Sequence, residues 1–249
     1  MIILKSLQEI EKIRKAGLVV AEVLDGIRGQ VRPGVSTQAL DEYAERSIRV
    51  MGAIPAFKGY RGYPKTLCTS VNNEVIHGIP AKDVVLKQGD IISVDVGAIV
   101  EGFYGDAAVT MPVGTVTPEA ERLIRVTEES LYRGIEQAVA GKRLQDISHA
   151  VQSHVEKHGF SVVREYVGHG IGRSLHEDPQ IPNFGEPGQG PRLKTGMVLA
   201  IEPMVNAGGC ATVVKDDHWT AVTADNSLSA HFEHTVALMP DGPWILTKR

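Results

Sequence analysis

Leu86-Lys87-Gln88-Gly89-Asp90-Ile91-Ile92-Ser93-Val94-Asp95 aligns without a gap on Leu193-Lys194-Thr195-Gly196-Met197-Val198-Leu199-Ala200-Ile201-Glu202, at an offset of 107 residues. Each copy reads as a glycine turn followed by an apolar run of strand composition, with an acid at its end. At the same offset Gly34 matches Gly141 and Leu40 matches Ile147, each pair opening a helical pattern. A long unit seen twice argues for two related halves of a single domain, about 1–115 and 116–249, and against a solenoid. A shorter echo, His77-Gly78-Ile79-Pro80 against His169-Gly170-Ile171-Gly172, falls at an offset of 92 and assigns extra loop to the second half, between Ser174 and Gly190.

The elements around the repeat follow from capping and period. Ser6 and Glu9 have capping-box spacing, and Ile10, Ile13, Gly17, Val20, Leu24 and Ile27 then keep a helical period. Ser36 caps a second helix with Leu40, Tyr43, Ala44, Ile48 and Met51 on one face. Thr117-Pro118-Glu119 combines an N-cap, a first-turn proline and an acid at the positive helix end, opening a third helix to about Val139. Leu144 to His158 makes a fourth, stopped by Gly159, and strand runs lie around Val94, Thr110, Val163, Ile201, Val213 and Val236. Two helices followed by strands, twice over, predict an α+β fold with helices on one face of a curved, mainly antiparallel, pseudo-symmetric sheet. Functional groups belong on the opposite, concave face, and Ile181 to Gly190 reads as an exposed loop.

Four acids stand out from their surroundings. Asp95 interrupts an Ile/Val run, and Asp106 follows in Phe103-Tyr104-Gly105-Asp106-Ala107-Ala108-Val109, with a reversal near Val100 to Gly102 that makes the two segments a hairpin. Cross-strand neighbours lie about 5 Å apart, near enough for two carboxylates to share an ion. Glu202 and Glu233 sit in similar settings, and no Lys or Arg enters these runs. Any one of them alone reads as a strand-end acid facing water. Four beside His169 are electrostatically costly unless dications neutralise them, and two dications balance four carboxylates charge for charge. The sequence therefore points to a two-metal hydrolase.

Composition excludes other classes. With 22% charged residues and a formal net charge of −4, the chain has no general attraction to nucleic acid or anionic membranes. Cys68 and Cys210 are too few for a disulfide scaffold and lack zinc-ribbon spacing. No signal-type or membrane-length apolar run is present, so a soluble, cytoplasmic protein is expected. His154 and His158 have the spacing of a helical metal pair, but the sequence offers no third ligand beside them, and they read as a solvated helix face. The glycines at 168, 170 and 172 do not complete a dinucleotide fingerprint.

Taken in order, Asn73-Glu74-Val75-Ile76-His77-Gly78, Val94-Asp95-Val96-Gly97, Gly105-Asp106-Ala107-Ala108, Gly168-His169-Gly170-Ile171-Gly172, Ile201-Glu202-Pro203 and Phe232-Glu233-His234-Thr235 resemble the type I methionine aminopeptidases. The resemblance covers essentially the whole chain and implies their pita-bread fold. It implies release of an N-terminal methionine ahead of a small second residue, from peptides and nascent chains, with the ribosome as the place of encounter and a monomer as the working state. It also implies two divalent ions, manganese, iron, cobalt or zinc. One would be held by His169, Glu202, Asp106 and Glu233, the other by Asp95 with Asp106 and Glu233 as shared bridges. Glu202 would shuttle protons, His176 would stabilise the scissile carbonyl and His77 would touch the substrate backbone. Tyr60, Tyr63, Cys68 and Trp219 would line the methionine side-chain pocket, where sulfur and aromatic rings suit a thioether. Phe57 stands where the family has a second cysteine and Leu175 where it has phenylalanine, so the pocket's width is expected to differ. Two alternatives share the fold: a peptidase cleaving before proline, and a non-catalytic binding homologue.

Overall fold

The computed structural model describes all residues from Met1 to Arg249. Helix α1 (Leu7–Arg28) begins on the expected capping box: Ser6 Oγ accepts from the Glu9 amide, and the Glu9 carboxylate accepts from the Ser6 amide at 3.0 Å. Helix α2 (Thr37–Val50) starts on Ser36, and α3 (Pro118–Ile135) on Thr117 with Pro118 in its first turn. Helix α4 spans Leu144–Lys157. Helix α3 stops short of the expected Val139 because Ala138 turns into the core and the chain reverses through Gly141 at φ 97°.

The repeat is visible in the elements themselves. Helices α2 and α4 are both 14 residues long and start 107 positions apart, at residues 37 and 144. The bridges Ser36–Val85 and Arg143–Arg192 keep that offset, as do the short strands Ile54–Pro55 and Ser161–Val162.

All strand pairings are antiparallel, and the curved surface is assembled from four sheets. The first half contributes a four-stranded sheet (Ile54–Pro55, Leu67–Val71, Ile91–Val100, Phe103–Pro112). The second contributes a five-stranded one (Val167–Gly170, Glu177–Pro182, Val198–Ile201, His234–Met239, Gly242–Ile245). Two three-stranded sheets complete the surface. The strand Glu177–Pro182 lies inside the segment assigned from sequence to extra loop; it pairs with Val167–Gly170 at the sheet edge.

Helices α1 and α2 lay Val20, Leu24, Leu40 and Ile48 on Ile92, Val94 and Val96 of the first sheet. Helices α3 and α4 lay Leu131, Ile135 and Ile147 on Leu199, Ile201 and Val236 of the second. Burying each such side chain is worth roughly 1.5–3 kcal/mol, which fixes the strand faces, since a one-residue slip would turn Asp95 under the helices. Helix α1 rests directly on the strand that carries Asp106: a Cβ on Gly105 would stand 2.6 Å from the Gly17 nitrogen.

Candidate metal centre

Strand parity brings the acids together. In the hairpin Ile91–Val100/Phe103–Pro112, the pairs Ile92–Met111, Val94–Val109 and Val96–Ala107 face the helices. The intervening pairs, Ser93–Thr110, Asp95–Ala108 and Gly97–Asp106, therefore face the concave side. Asp95 and Asp106 are diagonal neighbours on this face, Asp95 pairing with Ala108 and Asp106 with Gly97. The turn falls at the expected reversal near Val100 to Gly102, with Glu101 at φ 51° and Gly102 at φ 77°.

The second half repeats the arrangement. Leu199 and Ile201 face the helices, leaving Ala200 and Glu202 on the concave side. His169 and Thr235 both pair with Ala200, so His169, Glu202, Thr235 and Glu233 share one face. The two large sheets meet where Glu233 N donates to Ala108 O at 2.9 Å and Ala108 N donates back at 3.4 Å. Thr235 Oγ1 extends the seam, donating to Asp106 O at 2.7 Å and accepting from Asp106 N at 3.1 Å. Asp106 and Glu233 face each other across it.

Asp106, His169 and Glu233 each offer a ligand atom within 4.8 Å of the others. Glu202 Oε1 lies 3.4 Å from His169 Nε2, and its Oε2 lies 3.6 Å from Nε2 of His231. His169 Nδ1 is 2.9 Å from Gly170 O, an atom that can only accept, so Nδ1 carries the proton and Nε2 is left bare toward the acids. Burial pushes Asp95 up to about 7 and Glu202 up to about 8. It drives Asp106 and Glu233 well above the carboxylate range, with repulsion from neighbouring acids adding to the effect. Burial also lowers His169 to about 3, so the imidazole is neutral at physiological pH. Asp95 Oδ1, Asp106 Oδ1 and Glu233 Oε1 are buried with no hydrogen-bond partner, and no Lys or Arg pairs with the four acids. Orphaned, mutually repelling carboxylates around a bare imidazole nitrogen fit divalent cations.

All eleven site residues anticipated from the sequence line one cavity of about 150 Å³, which is bounded by fourteen residues. Around the acids stand His77 and His176. Tyr60 Oη lies 2.9 Å from His176 Nδ1 and the two rings stack at 5.3 Å, while the His176 ring centre is 4.3 Å from that of His169. His77, at φ 61°, meets Trp219 edge-on at 6.3 Å, and burial lowers its pKa to about 4. Tyr63 packs edge-on against Trp219 at 5.1 Å and spends its hydroxyl on Leu67 O and Gly78 O, so it offers the cavity a ring and not a donor. Cys68 is buried, and burial raises its thiol pKa. Phe57 and Leu175 are buried in the same wall, Phe57 filling the space over Gly97, whose Cβ would stand 2.7 Å from the ring.

Two residues escaped the sequence reading. Arg61 stands exposed on the cavity rim. His231 is buried beside Asp95 and Glu202, held through its backbone by two 2.8 Å bonds with Thr110 Oγ1. Its signal was its place two residues before Glu233.

The chain matches the model of metallopeptidase family M24 over residues 11–239. It is 57% identical over 247 residues to a methionine aminopeptidase of Clostridium perfringens, with 99% of each chain covered. The crystal structure of a methionine aminopeptidase from Thermotoga maritima matches it with a TM-score of 0.99 at 51% identity over 100% of both chains. A prolidase from Pyrococcus horikoshii OT3 shares the fold alone, with a TM-score of 0.80 at 21% identity and 63% of that chain covered.

Proposed function

We infer the activity from one premise: this chain belongs to metallopeptidase family M24. It is a metal-dependent aminopeptidase and removes the N-terminal methionine from peptides and nascent proteins whose second residue is small. The observation that carries this reading is a full-length match to methionine aminopeptidases together with the convergence of Asp95, Asp106, His169, Glu202 and Glu233 on one cavity. Cleavage before proline has less support, because the prolidase resembles this chain in fold only.

His169 and Glu202 would hold one divalent ion and Asp95 a second, with Asp106 and Glu233 serving both. Ions bound there polarise a carbonyl and ease deprotonation of water. The chain's own groups then have distinct tasks. Glu202 takes the proton of the attacking water and returns it to the departing amine. His176, its Nδ1 engaged by Tyr60 Oη at 2.9 Å, presents Nε2–H to the carbonyl oxygen as negative charge develops there. His77 orients the substrate backbone. Cys68, Tyr60, Tyr63 and Trp219 enclose the thioether, with Phe57 and Leu175 completing the wall. The protein works as a single-domain monomer in the cytoplasm, meeting its substrates as they leave the ribosome. Turnover of Met-Ala-Ser, Met-Ile-Ser and Ala-Pro peptides by chelated enzyme reloaded with one ion at a time tests the reading. Cleavage of the first alone is expected, and preferential release of Ala from Ala-Pro would overturn it.

A further inference from the structure

We propose that the packed pair α3 and α4 carries a separate surface site for a divalent first-row transition cation, held by Glu129, His154 and His158. The sequence offered the two histidines without a third ligand, and the fold supplies it from the neighbouring helix. Glu129 Oε2 lies 3.0 Å from His154 Nε2, and a ligand atom of each of the three residues lies within 4.8 Å of the other two. The histidines stand one turn apart with ring centres 4.6 Å apart. Tetrahedral nitrogen and oxygen ligands at about 2.0–2.1 Å from an ion lie somewhat over 3 Å from each other, close to the Glu129–His154 separation, and a bound ion would take the place of the proton that pair now shares.

The surroundings prepare the site. His158 Nδ1 is 2.8 Å from His154 O, which can only accept; the proton is on Nδ1 and Nε2 presents its lone pair. Both histidines lie at the C-terminal end of α4, where the helix carbonyls favour positive charge. All three residues are half-buried, so a cation there keeps solvent on one side. Two arginines oppose it. Arg125 binds Glu129 Oε1 at 2.9 Å and Arg122 binds His158 O at 3.2 Å, but neither occupies Glu129 Oε2 or the free imidazole nitrogen. Two imidazoles and one carboxylate select zinc, nickel, copper or cobalt over magnesium or calcium. The site lies on the helix layer, with the sheets between it and the acid cavity, so an ion there would tie α3 to α4 and raise the metal count without touching catalysis.

Equilibrium dialysis of metal-loaded protein against zinc, with the ions counted, tests this on the natural chain and on His154→Ala, His158→Asn and Glu129→Gln. His158→Asn retains a side chain suited to the helix end, so it remains informative should His154→Ala fold poorly. The natural chain is expected to hold one zinc ion per molecule more than either histidine variant, with affinity at this site falling more than about tenfold in each. Glu129→Gln should weaken it by a smaller factor, and turnover of a Met-Ala peptide should be the same in all four. Equal zinc counts in the natural chain and His158→Asn would overturn the proposal, as would zinc loss accompanied by a matching loss of turnover.

Discussion

Lys5→Met should destabilise the protein far more than a lysine near a chain terminus suggests. Lys5 and Glu177 form an ion pair with side chains only 4% and 8% exposed, and Lys5 also donates to Ile3 O at 3.0 Å. Glu177 Oε1 accepts from Arg173 N at 2.9 Å and Ser174 N at 3.3 Å, so one carboxylate ties the N-terminal arm to the loop that presents Leu175 and His176. Gly172 is pressed against Lys5 in the same place, its Cβ position being 2.5 Å from Cε. Removing one partner of a buried pair costs about 3–5 kcal/mol, and the two amide bonds left to Glu177 put this case near about 3. For a chain of this size that is a melting point lower by about 6–12 °C. Lys5→Met/Glu177→Gln removes the stranded charge and keeps an acceptor for the amides, so it should recover more than half of the loss. Thermal unfolding of metal-loaded protein followed by circular dichroism gives both numbers. A drop under about 2 °C for Lys5→Met, or a double variant worse than both singles together, would refute the reasoning. Slower turnover of a Met-Ala peptide with unchanged metal content is expected alongside, because the loop that loosens carries His176.

Asp106→Asn should abolish turnover and reduce bound metal, since an amide cannot supply the charge that the proposed shared ligand provides; normal activity with full metal content would contradict the assignment. His176→Ala should lower kcat by roughly 10²- to 10³-fold with metal content intact, and Tyr60→Phe by much less, because it frees the tautomer without removing the donor. Parallel loss of metal in His176→Ala would show the role to be different. Stability of the chelated protein should fall as pH rises from about 6.5 to about 8. Asp95, Asp106, Glu202 and Glu233 have raised folded pKa values, so their contribution is present at low pH and is lost as pH climbs through those values. His77, His169 and His234, depressed by burial, act the opposite way, but only below their unfolded value near 6.5. Melting curves with chelator and with manganese should diverge across that window, and a chelated protein gaining stability there would count against the buried-acid argument.

The sequence disclosed what depends on neighbours along the chain. Ser6, Ser36 and Thr117 set helix starts because a cap bonds to amides three residues on, and the offset of 107 survived as a shared helix length and shared bridges. Asp95 and Glu202 were legible because an acid inside an Ile/Val strand needs a partner. Glu129 was not, because it reaches His154 from another helix. His231 was missed since a lone buried histidine looks the same in sequence whether it packs or binds. The edge strand Glu177–Pro182 holds two acids and two prolines, so its pairing comes from tertiary context and not from propensity.

The seam between the two large sheets gives metal release a backbone signature. Asp95 and Asp106 come from one side of it and His169, Glu202 and Glu233 from the other, while only a few main-chain and threonine bonds clasp the edges. Ions held from both sides, as proposed above, would act as rivets, and withdrawing them would leave repelling acids to prise the joint open. The amide protons of Ala108 and Glu233 thus become clocks for occupancy, exchanging with deuterated solvent sooner when the cations leave, while the interior amides of α1 keep their pace.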